Sequence, residues 1–255
     1  MILEYHRPTT MGQAKFLLAR PEPQTVPVAL GSFLYPPSTG DFAVVDVQDL
    51  GLEEIKIHDG QISIGAAATL GSIVDSDLLP DYLILGAKRD ANTNIRNSMT
   101  LGGELVRGMG HSLLCSNLLA ANAGLIWESE AKVMLYEEWI AKKQVPGDGC
   151  PLLVEVNIDQ EIRVRCETIE RTPVDIPSIL FSIGFLSTGE IRVILGGAVA
   201  TPIVIYSGAQ DFNLAVLSTK NAYRQFINPQ FDDEYFQEIS RVLLSRLFEE
   251  QTRSI

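Results

Sequence analysis

Residues 94–103 read Asn-Ile-Arg-Asn-Ser-Met-Thr-Leu-Gly-Gly, a polar and turn-rich stretch that precedes a helical segment. Its side chains favour neither helix nor strand, so we predict a loop. The Gly102–Gly103 pair allows the backbone to approach a ligand closely, because glycine has no β-carbon. Main-chain N–H groups of Thr100–Glu104 could then hold a diphosphate without any lysine. Tight turns that bind nothing are the alternative interpretation.

A second glycine-bearing loop lies nearer the N-terminus. Ala29-Leu30-Gly31-Ser32-Phe33 follows a short β-rich run, and its N–H groups could serve the same purpose. We expect the two loops to converge on one diphosphate. The predicted binding residues are Leu30, Gly31, Ser32, Phe33, Thr100, Leu101, Gly102, Gly103 and Glu104.

The order of predicted elements indicates an α+β protein. The chain opens as strand, helix, strand, and the alternating run Ile55–Ile64 around Asp59-Gly60 predicts a hairpin. Helices are predicted near residues 70–76, 81–90 and 111–123, and a strand over Ala131–Tyr136. The last third contains β runs at 152–158, 162–166, 179–185 and 191–199, followed by a helix that Asp232 or Asp233 caps and that ends near Glu249.

Composition excludes several classes of protein. The 255 residues carry 20 Lys and Arg against 32 Asp and Glu, a net charge of −12, which disfavours binding to nucleic acid or to an anionic membrane. Three dispersed cysteines and three dispersed histidines argue against a disulfide scaffold and against a metal or iron–sulfur site. We expect a cytoplasmic protein, because the chain opens without a signal peptide and no apolar run reaches about 18 residues.

Common nucleotide and hydrolase motifs are absent from the sequence. It contains no G-x-G-x-x-G after a strand and no G-x-x-x-x-G-K-[ST], which excludes the ordinary dinucleotide fold and the triphosphate-binding loop. It also contains no G-x-S-x-G and no H-E-x-x-H, so nothing points to a serine hydrolase or a zinc protease.

Several motifs, in this order along the chain, resemble those of one family. Ile95–Gly103 is close to I-R-N-x-G-T-I-G-G, and Tyr5–Thr9 resembles Y-x-R-P-x-S/T. Further similar segments are Val45–Val47, Ile64–Thr69, Leu118–Ala120, Arg171–Ile176, Ile191–Pro202 and Tyr235–Leu247. The chain thus resembles the flavin-binding (medium) subunit of molybdenum hydroxylases, such as carbon monoxide dehydrogenase and xanthine dehydrogenase.

The resemblance implies a fold, a cofactor and partners. The fold would be a two-lobed FAD-binding domain of the PCMH type, with lobes at 1–50 and 51–158, followed by a C-terminal domain of antiparallel sheet and helices at 159–255. FAD would receive electrons from iron–sulfur clusters of a small subunit, which takes them from a molybdopterin-binding large subunit. The chain would then pass them to an external acceptor. The substrate of the complex and the acceptor stay open.

Four residues depart from the family pattern and motivate a second hypothesis. Leu30 replaces the first glycine of the first loop, Phe33 follows Ser32, Glu104 stands where Asn or Asp is common, and Leu113 stands where an Asp often contacts the cofactor. The alternative is therefore a flavin-free structural subunit that keeps the fold and has lost the site. A small-ligand binding module is a third hypothesis, which no motif favours.

Overall fold

The structure is a computed structural model, and it describes residues 1–30, 40–128, 133–142, 152–172, 175–225 and 232–249. These form two compact units, each made of several chain segments. Unit 1 comprises 1–80, 91–107 and 123–158, and unit 2 comprises 81–90, 108–122 and 159–255. The division of the chain at residues 50 and 158 remains a prediction.

The elements are numbered in chain order. The strands are β1 (Ile2–His6), β2 (Thr25–Val28), β3 (Phe42–Asp46), β4 (Ile55–His58), β5 (Gln61–Gly65), β6 (Gly124–Trp127), β7 (Met134–Leu135), β8 (Leu153–Asp159), β9 (Arg163–Ile169), β10 (Ile179–Phe185), β11 (Glu190–Gly197) and β12 (Ile203–Ala209). The helices are α1 (Met11–Leu18), α2 (Leu70–Val74), α3 (Asp81–Asp90), α4 (Thr93–Arg96), α5 (Leu101–Arg107), α6 (Leu113–Ala120), α7 (Tyr136–Lys142), α8 (Phe212–Gln225) and α9 (Asp233–Glu249).

Unit 1 begins with a three-stranded parallel sheet in the order β1-β3-β2. The central strand β3 is buried along its whole length, as expected for a parallel strand that is flanked on both sides. Helix α1 connects β1 to β2, and the hydroxyl oxygen of Thr10 caps it by accepting from the Gln13 amide. Ala14 of α1 packs with Val45 and Val47 in the core of this lobe.

The second part of unit 1 is a five-stranded sheet in the order β4-β5-β8-β6-β7. The hairpin β4–β5 turns at Asp59-Gly60, where both residues have positive φ, as the sequence predicts. Gly65 ends β5 against the carbonyl oxygen of Leu52, which would lie 2.1 Å from an added β-carbon. The chain then runs through residues 66–68 into α2, and this run forms the support for the candidate site.

Unit 2 is a four-stranded antiparallel sheet, β12-β11-β10-β9, with α6 packed against β10 and β11. Gly184 permits this packing, because a β-carbon there would lie 2.0 Å from the carbonyl oxygen of Ala120. The sheet shares an apolar core with α8 and α9, which includes Phe181, Ile183 and Leu243. Every residue of α6 is buried.

Charged side chains contact both ends of α6. The Asp90 carboxylate accepts from the Ser112 hydroxyl and from the amides of Leu113 and Leu114, at 2.6, 2.8 and 3.0 Å. At the other end, the buried Arg192 donates through Nε to the carbonyl of Leu119, at 3.3 Å. An anion at the N-terminus and a cation at the C-terminus both stabilise a helix, because each opposes the partial charge of that end.

Most predicted elements are confirmed, two predictions are wrong, and some observed elements, among them β6, β12 and α8, were not predicted. The predicted loop at 94–103 contains most of α4 and the start of α5, because the Asn92 side chain caps α4 by accepting from Ile95 N. The strand predicted over Ala131–Tyr136 contains only Met134–Leu135 among its described residues, and Tyr136 starts α7. Helix α8 was not predicted, although its inward Ala215 and Thr219 have helical spacing.

Candidate functional site

The first predicted loop is described only at its start. Leu30 has φ of 59° and is 39% exposed, whereas Gly31, Ser32 and Phe33 lie outside the described residues. A φ near 60° is the left-handed region, which glycine adopts freely and leucine adopts at a cost. The backbone at Leu30 therefore keeps a glycine-like conformation at the position where the family pattern has glycine.

The second predicted loop, Thr100–Glu104, is supported by residues 66–68. Thr100 forms a β-bridge with Thr69. The amide of Leu101 donates to the Ala68 carbonyl at 2.9 Å, and the amide of Gly102 donates to the Ala66 carbonyl at 2.8 Å. Two of the N–H groups that the sequence suggested for a diphosphate thus hold the loop against its neighbour in this structure.

The two glycines of this loop have different surroundings. A β-carbon on Gly102 would lie 2.9 Å from the carbonyl oxygen and 3.1 Å from the β-carbon of Ala66, so this glycine is required for packing. On Gly103, apart from the chain neighbours and the backbone of α5, the one described atom within 4 Å of an added β-carbon is Thr100 Oγ1, at 3.2 Å. The Gly103 amide donates to the same hydroxyl over 3.3 Å, which is long for a hydrogen bond. Gly103 is thus exposed and has space on its Cα side, and its amide forms only this long hydrogen bond to a described group.

Glu104 follows Gly103 directly and is buried, with 3% of its surface exposed. Its Oε2 lies 3.1 Å from Nη1 of Arg107, which is one turn further along α5. A buried carboxylate needs a partner, because desolvation of a lone charge is costly. Arg107 supplies that partner and offsets a negative charge beside the loop. An i,i+3 pair of this kind can be found in a sequence, but our sequence analysis missed Arg107.

The other residues singled out by the sequence have structural contacts. Leu113 is 2% exposed, and its amide is bound by Asp90, so Leu113 contributes to the cap of α6. Sequence reasoning missed Asp90, since 22 residues separate it from Ser112 and no local motif connects them. Arg96 donates to the Thr93 hydroxyl at 3.0 Å, within its own helix.

Polar groups also gather at the carboxyl ends of β1 and β3. The Tyr5 hydroxyl donates to the buried Asp46 carboxylate, and this hydrogen bond raises the pKa of Tyr5. Arg7 donates to both carboxylate oxygens of Asp49, at 2.6 and 2.7 Å, and its guanidinium lowers the pKa of that carboxyl. Ligands often bind at the carboxyl ends of parallel strands, but these groups already bind one another.

A groove of about 470 Å³ lies beside α1 in unit 1. Its lining residues are His6, Arg7, Pro8, Gly12, Gln13, Phe16 and Leu17. Among the described residues, no group of three or more His, Cys, Asp or Glu side chains could hold a metal ion. Within the described parts of the chain, no helix is long and apolar enough to cross a membrane.

Two solved structures share the fold. A chain of the reconstituted CO dehydrogenase from Oligotropha carboxidovorans superposes with a TM-score of 0.75 at 20% identity, covering 96% of each chain. A chain of quinoline 2-oxidoreductase from Pseudomonas putida 86 gives a TM-score of 0.74 at 19% identity, covering 98% of this chain and 96% of that one. These similarities confirm the predicted α+β class and two-lobed fold type.

Sequence comparison gives the family. The protein named "Uncharacterized protein YgfM" of Escherichia coli (strain K12) is 26% identical over 239 residues, which is 91% of this chain and 88% of that protein. Residues 1–158 match the family described as the FAD binding domain in molybdopterin dehydrogenase. This match covers more than half of the chain and confirms the resemblance to the flavin-binding subunit of molybdenum hydroxylases. The chain belongs to the family of FAD-binding domains of molybdopterin dehydrogenases, and its cofactor is FAD.

Proposed function

We propose that this chain is the electron-transfer subunit of a molybdenum hydroxylase-type complex. In this role it takes electrons from iron–sulfur clusters of a small partner subunit, and those clusters receive the electrons from a molybdopterin-binding large subunit. FAD, when bound, accepts the electrons and delivers them to an external acceptor. The family match supports the cofactor and the class of complex. The route of the electrons and the two partner subunits are the proposed part.

The observation that carries the proposal is the open backbone at Gly103 beside the Thr100 hydroxyl. Thr100–Glu104 would hold one side of the FAD diphosphate. Here the Thr100 hydroxyl could rotate away from the Gly103 amide, so that both groups become available to a phosphate oxygen, because their mutual hydrogen bond is long. Leu101 and Gly102 would orient the loop through their hydrogen bonds to residues 68 and 66.

The first loop would hold the other side of the diphosphate. We assign this role to Leu30, Gly31, Ser32 and Phe33. The left-handed backbone at Leu30 supports the assignment, because a strained conformation at a loop of this kind points to a functional requirement. The Leu30 side chain would then point away from the phosphate and leave the main chain available.

The net charge of −12 fits a protein that binds other subunits and small molecules and that does not bind nucleic acid. We propose a cytoplasmic location for the complex. Co-purification from the native host should recover two further polypeptides, one that carries iron–sulfur clusters and one that carries molybdopterin. Recovery of the chain without either would contradict the proposed assembly.

The cofactor site is tested with Gly103→Ala. An alanine in α5 favours the helix by up to about 1 kcal/mol, so the free protein should unfold at a slightly higher temperature. The same methyl group occupies the open space at Gly103 and should weaken FAD binding by about tenfold or more, measured by calorimetric titration of the cofactor-free chain. A variant that is more stable but binds FAD more weakly indicates that Gly103 belongs to a ligand site, because substitution of a packing residue would lower stability.

Gly12→Ala is the matched control. Gly12 lies in α1, and apart from its chain neighbours and the backbone of its own helix no described atom lies within 4 Å of an added β-carbon, so this variant should gain stability and keep its FAD affinity. Absence of a flavin spectrum in the wild-type chain, even after addition of FAD, would contradict the proposed function and favour a flavin-free structural subunit. Equal FAD affinity of wild type and Gly103→Ala would refute the placement of the diphosphate.

A further inference from the structure

The buried pair Glu104–Arg107 lies next to the proposed diphosphate site. Glu104 is the residue after Gly103, so their Cα atoms are about 3.8 Å apart. Its carboxylate is almost entirely withdrawn from water, and one guanidinium nitrogen of Arg107 lies 3.1 Å from it. Arg107 itself is largely covered, with 21% of its side chain exposed. The pair is thus held in a partly dehydrated environment beside the loop.

A carboxylate at this position opposes the binding of an anion. Two like charges within about 10 Å, at an effective dielectric constant of about 20, change an affinity by about tenfold. Water screens such a charge poorly when it is buried. The sequence therefore carries an acid where a diphosphate has to bind, and it carries a cation three residues later that offsets this acid.

We propose that Arg107 is a positioning residue for FAD, which acts through Glu104 by cancelling the carboxylate charge beside the diphosphate. The inference rests on the proposed diphosphate site. It assigns to Arg107 an electrostatic role in FAD affinity that is separate from any contribution to folding.

Whether each substitution tightens or weakens FAD binding distinguishes this electrostatic role from a purely structural one. Removal of the cation in Arg107→Met should weaken FAD binding by about tenfold, since Glu104 then lacks this compensation. Removal of the acid in Glu104→Gln should tighten FAD binding by about threefold to tenfold, since Arg107 then adds net positive charge. A purely structural pair predicts weaker binding in both variants, because each would disturb the loop.

Two further variants keep the charge balance. The double variant Glu104→Gln/Arg107→Met and the single variant Arg107→Lys should both bind FAD within about threefold of wild type. Arg107→Lys keeps the positive charge without the forked guanidinium, whereas methionine fills a similar volume without charge. If Arg107→Met fails to fold, Glu104→Gln, Arg107→Lys and the double variant still decide the question.

The measurement is calorimetric titration of each full-length, cofactor-free chain with FAD, accompanied by thermal unfolding of the same samples. Arg241→Met is the matched control, because Arg241 forms an i,i+3 pair with Glu238 on α9 at 2.9 Å; its FAD affinity should equal that of wild type. Weaker binding by Glu104→Gln, or wild-type affinity in Arg107→Met, would overturn the inference while leaving the FAD site in place. No binding by the wild-type chain would overturn the proposed function and this inference together.

Discussion

Asp90→Ala tests the cap of α6, the helix that packs against α3 and against the sheet of unit 2. The substitution removes the acceptor of three hydrogen bonds, from the Ser112 hydroxyl and from the amides of Leu113 and Leu114. Loss of an N-terminal cap costs about 0.5–2 kcal/mol, and a hydrogen bond to a charged group is worth about 1.5–3 kcal/mol. These contributions overlap, because one carboxylate makes all three bonds and Ser112 still caps Cys115 N.

We therefore expect Asp90→Ala to lower the free energy of unfolding by about 3 kcal/mol. In a chain of this size the melting temperature should fall by about 6–12 °C. Urea unfolding of the full chain, followed by circular dichroism, measures the loss. Asp90→Asn retains one acceptor oxygen and should lose about half as much. The exposed Glu161 gives the control Glu161→Ala, which should change stability by less than about 0.5 kcal/mol. A loss below about 1 kcal/mol in Asp90→Ala would refute the capping role.

Three other predictions follow from the structure. Gly184→Ala should lower the free energy of unfolding by several kcal/mol or prevent folding, because its β-carbon would lie 2.0 Å from the Ala120 carbonyl oxygen; a thermal melt that matches wild type would contradict this packing. Burial raises the pKa of the Cys166 thiol to about 11. The folded state therefore favours the neutral thiol, and this stabilisation is complete below the unfolded pKa near 8.5 and is lost as pH rises towards 11. Between pH 8 and 10 the wild type should therefore lose about 1–2 kcal/mol more stability than Cys166→Ala, and equal losses would show that this thiol titrates normally. Leu30→Gly should raise the free energy of unfolding by about 0.5 kcal/mol. Glycine removes the cost of the left-handed backbone, about 1–2 kcal/mol, and this gain exceeds the added entropy cost of glycine. A decrease of more than about 1 kcal/mol in urea unfolding would instead show that the leucine side chain packs tightly.

The sequence predicted those parts of the fold whose signals are local. The hairpin at Asp59-Gly60 was predicted because its turn residues and alternating side chains lie within ten positions. Helices α3 and α9 were predicted from their apolar spacing and end signals. The predictions were wrong where the local signals are weak. Helix α4 is a single polar turn that depends on its Asn92 cap, and α5 is short and contains two glycines, whose helix propensity is low.

The candidate site was likewise predicted only in those parts that have local signals. A single sequence was sufficient to propose Thr100–Glu104 as a candidate site, because the Gly102–Gly103 pair and the ordered motifs around it are properties of the chain itself. The sequence could not show that the two glycines have different surroundings. Gly102 packs against Ala66, whereas Gly103 is open, and residues 36 positions apart come together only when the second lobe folds.

Charge compensation also depended on folding. From the sequence, Glu104 and Leu113 were two departures from a family pattern and a reason to consider a chain without flavin. In the structure, Arg107 neutralises the buried Glu104, and Leu113 belongs to a helix cap that Asp90 completes from a distant segment. Local sequence signals thus predicted most of the turns, helices and strands. Burial and long-range contacts established which charges are offset and which backbone groups stay open, because both depend on neighbours that the chain brings together only in three dimensions.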